Sequence, residues 1–161
     1  MTTLLDTNIV IFLLAEETPE NKLIREWAIG KFEERKAEGP VIISDIVYCE
    51  VSVAMESQAQ MDEAVSRLGI DRIPCSDAAL FRAGRAFKKY KEENKGPKTG
   101  VLPDYIIGAV AEAEGLPLLT TNPRDYTGYF PGLTIIKPET VSVAGIGAAL
   151  AQAAAGVPAA S

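Results

Sequence analysis

Apolar residues along the chain alternate between short runs and longer repeats. Short, mainly aliphatic runs occupy 3–5, 41–43, 116–119 and 133–136, and residues 70–74 alternate between apolar and polar side chains. Between these runs, apolar residues recur at the spacing of one face of an α-helix. Buried strands that alternate with helices predict an α/β fold with a parallel sheet covered by helices.

The first apolar run breaks at Asp6, directly before the apolar residues that begin at Ile9. We expect a strand to end at Asp6 and a helix to follow it at once. Open α/β sheets carry their functional groups at the carboxyl ends of strands. Taken alone, however, Asp6 is also explained as the cap of the helix. A functional role requires that other polar groups meet it.

Glu50 has an unusual position on the helix expected after the strand at 41–43. On a helical wheel it falls about 40° from Ile46, between that residue and both Val47 and Ala54, so it lies within the apolar face. A buried carboxylate without a partner is costly. We therefore expect a core lysine or arginine, a bound metal ion or partial exposure of the side chain.

Asp104 and the loop at 120–126 extend this pattern. Pro103 and Asp104 open a helix, where proline is tolerated and an acidic residue is favoured by the helix dipole. Capping explains Asp104 by itself. Because the helix is apolar on nearly all sides, we also expect it to lie in the core and to direct Asp104 into a cleft. The loop at 120–126 places further polar groups at a strand end.

The helix expected from Ala78 to about Glu93 is amphipathic and basic. Residues 82–98 include seven basic and two acidic side chains. We interpret the basic side either as a solvated helix face or as a contact surface for a phosphate backbone. The candidate contact residues are Arg82, Arg85, Lys89, Lys95 and Lys98. The residues expected to face the core are Leu80, Phe81, Ala83, Gly84 and Phe87.

The amino-acid composition limits which metal ligands and general bases the chain can supply. The chain has no histidine, which removes the commonest zinc ligand and the usual general base. Carboxylate sites suit hard cations such as Mg²⁺ or Mn²⁺. The net charge of −6 means that binding to nucleic acid would depend on a local basic patch or on bridging cations.

The length of 161 residues indicates one domain, which we place at 1–138. Residues 139–161 are rich in alanine and glycine, and we expect a peripheral helix or a disordered tail there. This segment is too weakly hydrophobic to predict a membrane span. No signal-peptide pattern precedes Asp6, so we expect a cytoplasmic protein without a membrane partner.

Four short segments, taken in order, resemble a known family. They are Leu-Leu-Asp-Thr-Asn, Ile-Ser-x-x-x-x-x-Glu, Pro-Asp-x-x-Ile-x-Ala and Leu-Thr-Thr-Asn-x-x-Asp-Tyr. Over residues 3–137 the chain resembles the PIN-domain ribonucleases, most closely the VapC-like toxins of bacterial toxin–antitoxin pairs. This resemblance implies that 1–138 form a PIN-like nuclease domain, a three-layer α/β/α sandwich with a central parallel sheet.

The resemblance also implies a set of site residues. Asn122 stands where the family often has a variable fourth acid, and Asp125 follows three residues later. Which of the two completes the site, and whether it holds one metal ion or two, is open. Asn8, Thr121 and Asn122 are expected to support the site. The implied catalytic residues and metal ligands are Asp6, Glu50, Asp104 and Asp125.

The implied activity is metal-dependent endoribonuclease cleavage, in which Mg²⁺ or Mn²⁺ activates water and stabilises charge on the phosphate. The implied partners are an RNA substrate, a cognate antitoxin protein and a second copy of the chain in a homodimer.

Two other functions are possible alternatives to a ribonuclease, and each predicts different sequence features. A metal-dependent phosphohydrolase of the haloacid-dehalogenase type also begins with an aspartate after a strand, but its motif needs a second aspartate where this chain has Asn8. The other alternative is a catalytically weakened PIN-like module that binds protein or RNA. Asn122 and the net negative charge favour that alternative.

Overall fold

The computed structural model describes residues 1–94 and 102–139. Lys95, Lys98 and nearly all of the segment 139–161 lie outside these ranges. None of the described helices is long and apolar enough to cross a membrane. The elements are β1 (Thr3–Leu5), α1 (Thr7–Leu14), α2 (Lys22–Glu38), β2 (Val41–Ser44), α3 (Asp45–Ser52), α4 (Gln58–Leu68), β3 (Asp71–Ile73), α5 (Asp77–Glu93), α6 (Leu102–Ala113), β4 (Leu118–Leu119), a short 3-10 helix (Pro123–Asp125) and β5 (Ile135–Ile136).

The five described strands form one parallel sheet in the order β3-β2-β1-β4-β5. Helices cover both sides, which makes the fold a three-layer α/β/α sandwich and confirms the predicted class. β1 lies in the centre, and Leu5 pairs with Leu119 on β4. All five strand ends therefore point to one edge of the sheet, which we call the carboxyl edge.

The sheet core follows directly from the apolar runs. Leu4, Leu5 and Ile43 are fully buried, as the continuous aliphatic character of β1 and β2 predicts. α6 is buried along most of its length, which confirms that it lies in the core. β4 is shorter than the predicted run at 116–119 and begins after Pro117, which lacks the N–H group that a strand ladder uses.

The predicted inner face of α5 is partly wrong. Phe81 is 68% exposed and Leu80 is 45% exposed, whereas Ala79, Ala83 and Ala86 are buried. α5 packs closely along α6, and small side chains at the contact allow the two helices to approach. Alanines therefore form the inner face. The large apolar residues of the same helix had predicted a different inner face.

Gly108 is required by the packing of α6 against the loop after β4. A methyl group at Gly108 would lie 2.6 Å from Phe130 Cε2 and 2.9 Å from Tyr126 Cδ1. Both aromatic side chains are buried. Because neither ring can move away into solvent, the absence of a side chain at Gly108 lets the loop pack onto the helix.

We predict that Gly108→Ala lowers the free energy of unfolding by about 2 kcal/mol through overpacking. Gly84→Ala is the matched control, because Gly84 is an exposed α5 residue with open space around it. That control should gain about 0.5–1 kcal/mol from helix propensity. Urea unfolding of both variants tests the prediction, and equal effects would contradict it.

Candidate active site

Four acidic side chains gather at the carboxyl edge. Asp6 follows β1, Glu50 lies on α3, Asp104 opens α6 and Asp125 ends the 3-10 helix after β4. Burial, followed by the negative charges of Asp6, Asp125 and Glu50, raises the pKa of Asp104, as expected for carboxyl groups at one edge of the sheet. The structure therefore places the four predicted acids at one edge of the sheet, and their roles as metal ligands and catalytic residues stay predictions.

Asp6 is the most firmly held of the four and is only 2% exposed. Its Oδ1 accepts a hydrogen bond from the Thr7 N–H group at 2.7 Å, as the N-cap of α1. Its Oδ2 accepts from Asn8 Nδ2 at 2.7 Å and from the Thr120 hydroxyl at 2.6 Å. The predicted cap and the predicted site residue are thus the same side chain. Burial raises the pKa of Asp6 to about 6, although these hydrogen bonds oppose the shift.

Asn8 connects α1 to the loop after β4. Its Nδ2 atom lies 3.2 Å from the Thr120 hydroxyl, and its Oδ1 accepts a hydrogen bond from the Thr121 N–H group at 3.0 Å. The Asn122 N–H group donates in turn to Thr120 Oγ1 at 2.9 Å. Asn8 thereby fixes both Asp6 and the loop that leads to Asp125.

Glu50 is half-buried and accepts a hydrogen bond from the Thr7 hydroxyl. Burial raises the pKa of Glu50 above its ordinary value, and the Thr7 hydrogen bond partly offsets this shift. No lysine or arginine in the described residues forms an ion pair with Glu50. Of the three expected explanations, partial exposure is present and a basic core partner is not found in residues 1–94 and 102–139.

Asp104 has a strongly raised pKa. Its pKa rises to about 8, first because of burial and then because of the charges of Asp6, Asp125 and Glu50. The opening of α6 places this carboxyl among the other acids, so the residue does more than begin a helix. At neutral pH the fold holds a proton on Asp104 that the same residue would lose in water.

Asn122 and Asp125 are joined by a hydrogen bond, and which of them completes the site stays a prediction. Asn122 Nδ2 donates to Asp125 Oδ2 at 2.6 Å. Burial raises the pKa of Asp125, while this hydrogen bond and the nearby Arg124 lower it. The amide therefore orients the carboxylate at the corner of the site that the sequence left open.

Buried polar atoms without a partner also collect at the carboxyl edge. In the described part of the chain they are Ser44 Oγ, Thr121 Oγ1, Asn122 Oδ1 and the Tyr126 hydroxyl. Ser44 ends β2, and the other three follow β4. Unpaired buried polar atoms are rare in folded proteins, and they mark places where a ligand, ion or water completes the bonding.

The donor chemistry of this edge fits a hard divalent cation. The carboxyl edge offers four carboxylates together with neutral hydroxyl and amide oxygens, which are the ligands that such a cation prefers. Within residues 1–94 and 102–139, no basic side chain forms an ion pair with any of the four acids. As they stand, no three acidic or cysteine side chains of the described residues are arranged to hold a metal ion. Binding of a cation by three or more of these acids would therefore require some of their side chains to move.

Sequence reasoning missed two residues of the site, Thr7 and Thr120. Thr7 holds Glu50, and Thr120 holds Asp6. The pairing of Leu5 with Leu119 places Asp6 beside Thr120 one residue further on. The register of β1 against β4 thus places Thr120 in the site, and this register cannot be read from the sequence.

The candidate basic residues on α5 are partly engaged within the fold. Arg82 Nε lies 2.6 Å from Glu112 Oε2, and its guanidinium packs over the Phe130 ring at 4.8 Å. Lys89 Nζ donates to the Gly128 carbonyl at 3.0 Å, on the loop that follows Asp125. Arg85 lies over Phe81 at 5.0 Å. A contact of these side chains with RNA stays a prediction.

The parallel sheet and the acid cluster at its carboxyl edge define an α/β protein with a carboxylate site. A family model described as the PIN domain matches residues 3–127, and the chain belongs to that family. The match includes all four acids of the cluster. The predicted domain end at 138 lies beyond the matched range and stays a prediction.

Solved structures share this fold. VapBC2 from Rickettsia felis, bound to a promoter DNA fragment, is 19% identical with a TM-score of 0.62, covering 85% of this chain and 98% of that one. VapBC-1 from nontypeable Haemophilus influenzae is 20% identical with a TM-score of 0.60, covering 85% and 98%. A toxin–antitoxin complex from Klebsiella pneumoniae is 28% identical with a TM-score of 0.56, covering 86% and 99%. No curated protein matches the sequence significantly.

We predict that the metal-free protein loses stability as the pH rises from about 4 to about 8. Asp104, with a pKa of about 8 against 3.8 for the free side chain, binds a proton in the folded state that the unfolded state has released. Asp104→Asn removes this cost and should raise the free energy of unfolding at pH 8 by about 2 kcal/mol.

Urea unfolding with EDTA at pH 5 and pH 8 measures this effect, which should be clearly smaller at pH 5. The exposed Asp71 provides the control substitution Asp71→Asn. An Asp104→Asn effect that is the same at both pH values would show that Asp104 does not retain its proton.

Proposed function

We propose that this protein is a metal-dependent endoribonuclease that hydrolyses RNA phosphodiester bonds. The observation that carries the proposal is the set of four carboxyl groups at the carboxyl edge, in which the charges of the other three act on Asp104 and no acid forms an ion pair with a basic residue in the described parts of the chain. Membership of the PIN family supports it. Such a cluster is costly for folding alone, so a cationic ligand explains it better than a structural role.

The residues that would hold Mg²⁺ or Mn²⁺ are Asp6, Glu50, Asp104 and Asp125. When bound, a divalent cation supplies Lewis acidity that activates water and stabilises charge on the phosphate. Thr120 and Asn8 hold the Asp6 carboxylate, while Glu50 accepts a hydrogen bond from Thr7 and Asp125 accepts one from Asn122. The half-buried Asp104 must release its proton when the acids bind a cation.

The basic side of α5 is the proposed contact for the RNA backbone. Lys89 contacts the loop that follows Asp125, so a phosphate strand along α5 would lead toward the acid cluster. The chain has a net charge of −6, and such a local patch is the electrostatic feature that an acidic nuclease needs.

We predict that Asp104→Asn and Asp6→Asn each reduce Mn²⁺-dependent RNA cleavage by at least about 100-fold, because each removes a charged ligand. The measurement is cleavage of a labelled RNA with Mn²⁺ and with EDTA. Asp71→Asn should retain full activity. Circular dichroism and urea unfolding must show that the inactive variants are folded.

Cleavage by the double variant Asp6→Asn and Asp104→Asn at the rate of the unchanged protein would overturn the assignment. A protein purified under denaturing conditions and refolded is needed for this test, since it excludes a contaminating nuclease. Loss of activity in Asp71→Asn as well would point to a general effect of charge rather than to the cluster.

We also propose that the protein is the toxin of a toxin–antitoxin pair and acts in the cytoplasm as a homodimer. The toxin–antitoxin complex from Klebsiella pneumoniae, 28% identical over 86% of this chain, supports the antitoxin partner. The homodimer and the cytoplasmic location follow from the family resemblance and stay predictions.

For the antitoxin we predict a short DNA-binding protein encoded by a neighbouring reading frame. Expression of this chain alone should arrest bacterial growth, and co-expression of that neighbour should restore it. Asp104→Asn should remove the arrest without the neighbour. Arrest that persists in Asp104→Asn, or growth that the neighbour does not restore, would contradict the toxin assignment.

A further inference from the structure

Aromatic side chains gather where α5 packs against the beginning of α6. Tyr105 is 1% exposed and lies at their centre. The centroid of its ring is 4.9 Å from that of Tyr129 and 5.8 Å from that of Tyr90. Tyr90 and Tyr129, whose centroids are 6.2 Å apart, are only partly buried. These two rings therefore reach the surface while they pack on a third that does not, and we call the pair the aromatic surface.

The end of α5 lies beside the beginning of α6, where Asp104 is located. Tyr90 near the end of α5 contacts Tyr105, which directly follows Asp104. Arg82, two turns earlier on α5, pairs with Glu112 near the end of α6. The two helices therefore run in opposite directions, and the aromatic surface lies at the end of this pair that carries Asp104.

The loop after β4 brings Tyr129 to the same place. Tyr129 follows Asp125 by four residues. Arg82 Nη2 donates to the Tyr129 carbonyl at 2.6 Å, and Lys89 Nζ donates to the Gly128 carbonyl at 3.0 Å. α5 thus holds two consecutive carbonyl groups of the loop. The aromatic surface is therefore fixed by its backbone contacts, and it adjoins the chain segments that carry two of the four acids.

Lysine side chains lie over the partly exposed rings of this region. Lys89 Nζ is 5.4 Å from the centroid of the Tyr129 ring, and Lys91 Nζ is 5.4 Å from the centroid of the Phe87 ring. Lys89 also lies 3.7 Å from Glu93, but both side chains are about half exposed, so solvent weakens this pair. The packing of α5 on α6 accounts for the buried ring, but it does not require ammonium groups over the outer ones.

We propose that the aromatic surface is a subsite for one unpaired base of an RNA strand, with the Lys89 ammonium group on the adjoining phosphate. Bases stack on tyrosine rings through their flat π faces, and lysine complements the charge of the phosphate. A duplex hides the faces of its bases, so the subsite selects single-stranded RNA. That a bound strand is then cleaved rests on the proposed function, whereas binding to the aromatic surface does not.

The subsite would set the position of the strand without reading its sequence. Stacking tolerates every base, because each has a π face. A base held between α5 and the loop after β4 would bring the neighbouring phosphodiester toward Asp104 and Asp125. The place of cleavage would then depend on an unpaired nucleotide at the aromatic surface.

Fluorescence anisotropy of a labelled RNA in EDTA measures binding without cleavage. Tyr90→Leu and Tyr129→Leu keep an apolar side chain but lose the ring, and each should weaken binding of a single strand about fivefold to twentyfold. Tyr90→Phe and Tyr129→Phe keep the ring and should restore the affinity of the unaltered protein. Unchanged binding in both leucine variants overturns the inference.

A duplex of the same sequence, at the same salt concentration, provides a test that needs no substitution. The unaltered protein should bind the duplex more weakly than the single strand, because the paired bases cannot stack on the rings. Equal or tighter binding of the duplex overturns the inference. This comparison decides the question if urea unfolding shows that the leucine variants are not folded.

Phe81→Leu is the matched control. Phe81 is an exposed ring beneath Arg85 toward the opposite end of α5. Its replacement should leave the affinity for single-stranded RNA unchanged. An equal loss in Phe81→Leu would show that any exposed ring of this basic helix contributes, and the specific subsite would be overturned.

Cleavage of the same RNA with Mn²⁺ separates this inference from the proposed function. If the leucine variants lose RNA binding but the unaltered protein does not cleave, the subsite is supported and the nuclease assignment fails. If the unaltered protein cleaves and the leucine variants bind RNA normally, the nuclease stands and the subsite is overturned. Leucine variants that bind RNA normally but escape the neighbouring antitoxin would show that the surface binds protein, which also overturns the inference.

Discussion

Repulsion among four carboxyl groups at one edge of a parallel sheet is the constraint on which the rest of the site depends. Asp104 shows its effect, because burial first and the charges of three neighbouring acids second raise the pKa of this residue to about 8. A fold with no use for these charges would be more stable with neutral side chains at the same places. The free energy lost here is the physical basis for proposing this edge as the active site.

Hydrogen-bond donors stabilise Asp6 and Glu50, and at Asp125 the charge of Arg124 adds to the hydrogen bond from Asn122. Thr7, Asn8 and Thr120 donate to the acids, and Asn122 donates to Asp125. Neutral donors stabilise an ionised carboxylate but leave it unpaired with a cation. An arginine or lysine at the same positions would neutralise the cluster and compete with a metal ion for it.

Two basic side chains of α5, Arg82 and Lys89, act on the loop after β4 and on the helix beneath it. Arg82 joins α5 to Glu112 on α6 and packs on Phe130, and Lys89 binds the Gly128 carbonyl. Gly108 lets the same loop pack onto α6. These contacts hold in place the turn that carries Asp125, so the packing of α5 and α6 bears directly on the geometry of the acids.

The sequence by itself determined the parallel α/β fold, because aliphatic runs are local patterns. It singled out Asp6 at a strand end, Glu50 on an apolar helix face and Asp104 at a helix start, whereas Asp125 came only from the resemblance to the PIN family. The inner face of α5, where alanines pack and Phe81 is exposed, was decided by the approach of α6. Tertiary structure also decided the partners of Asp6. The register of β1 against β4 sets Thr120 beside it, and a register between strands more than a hundred residues apart leaves no local trace.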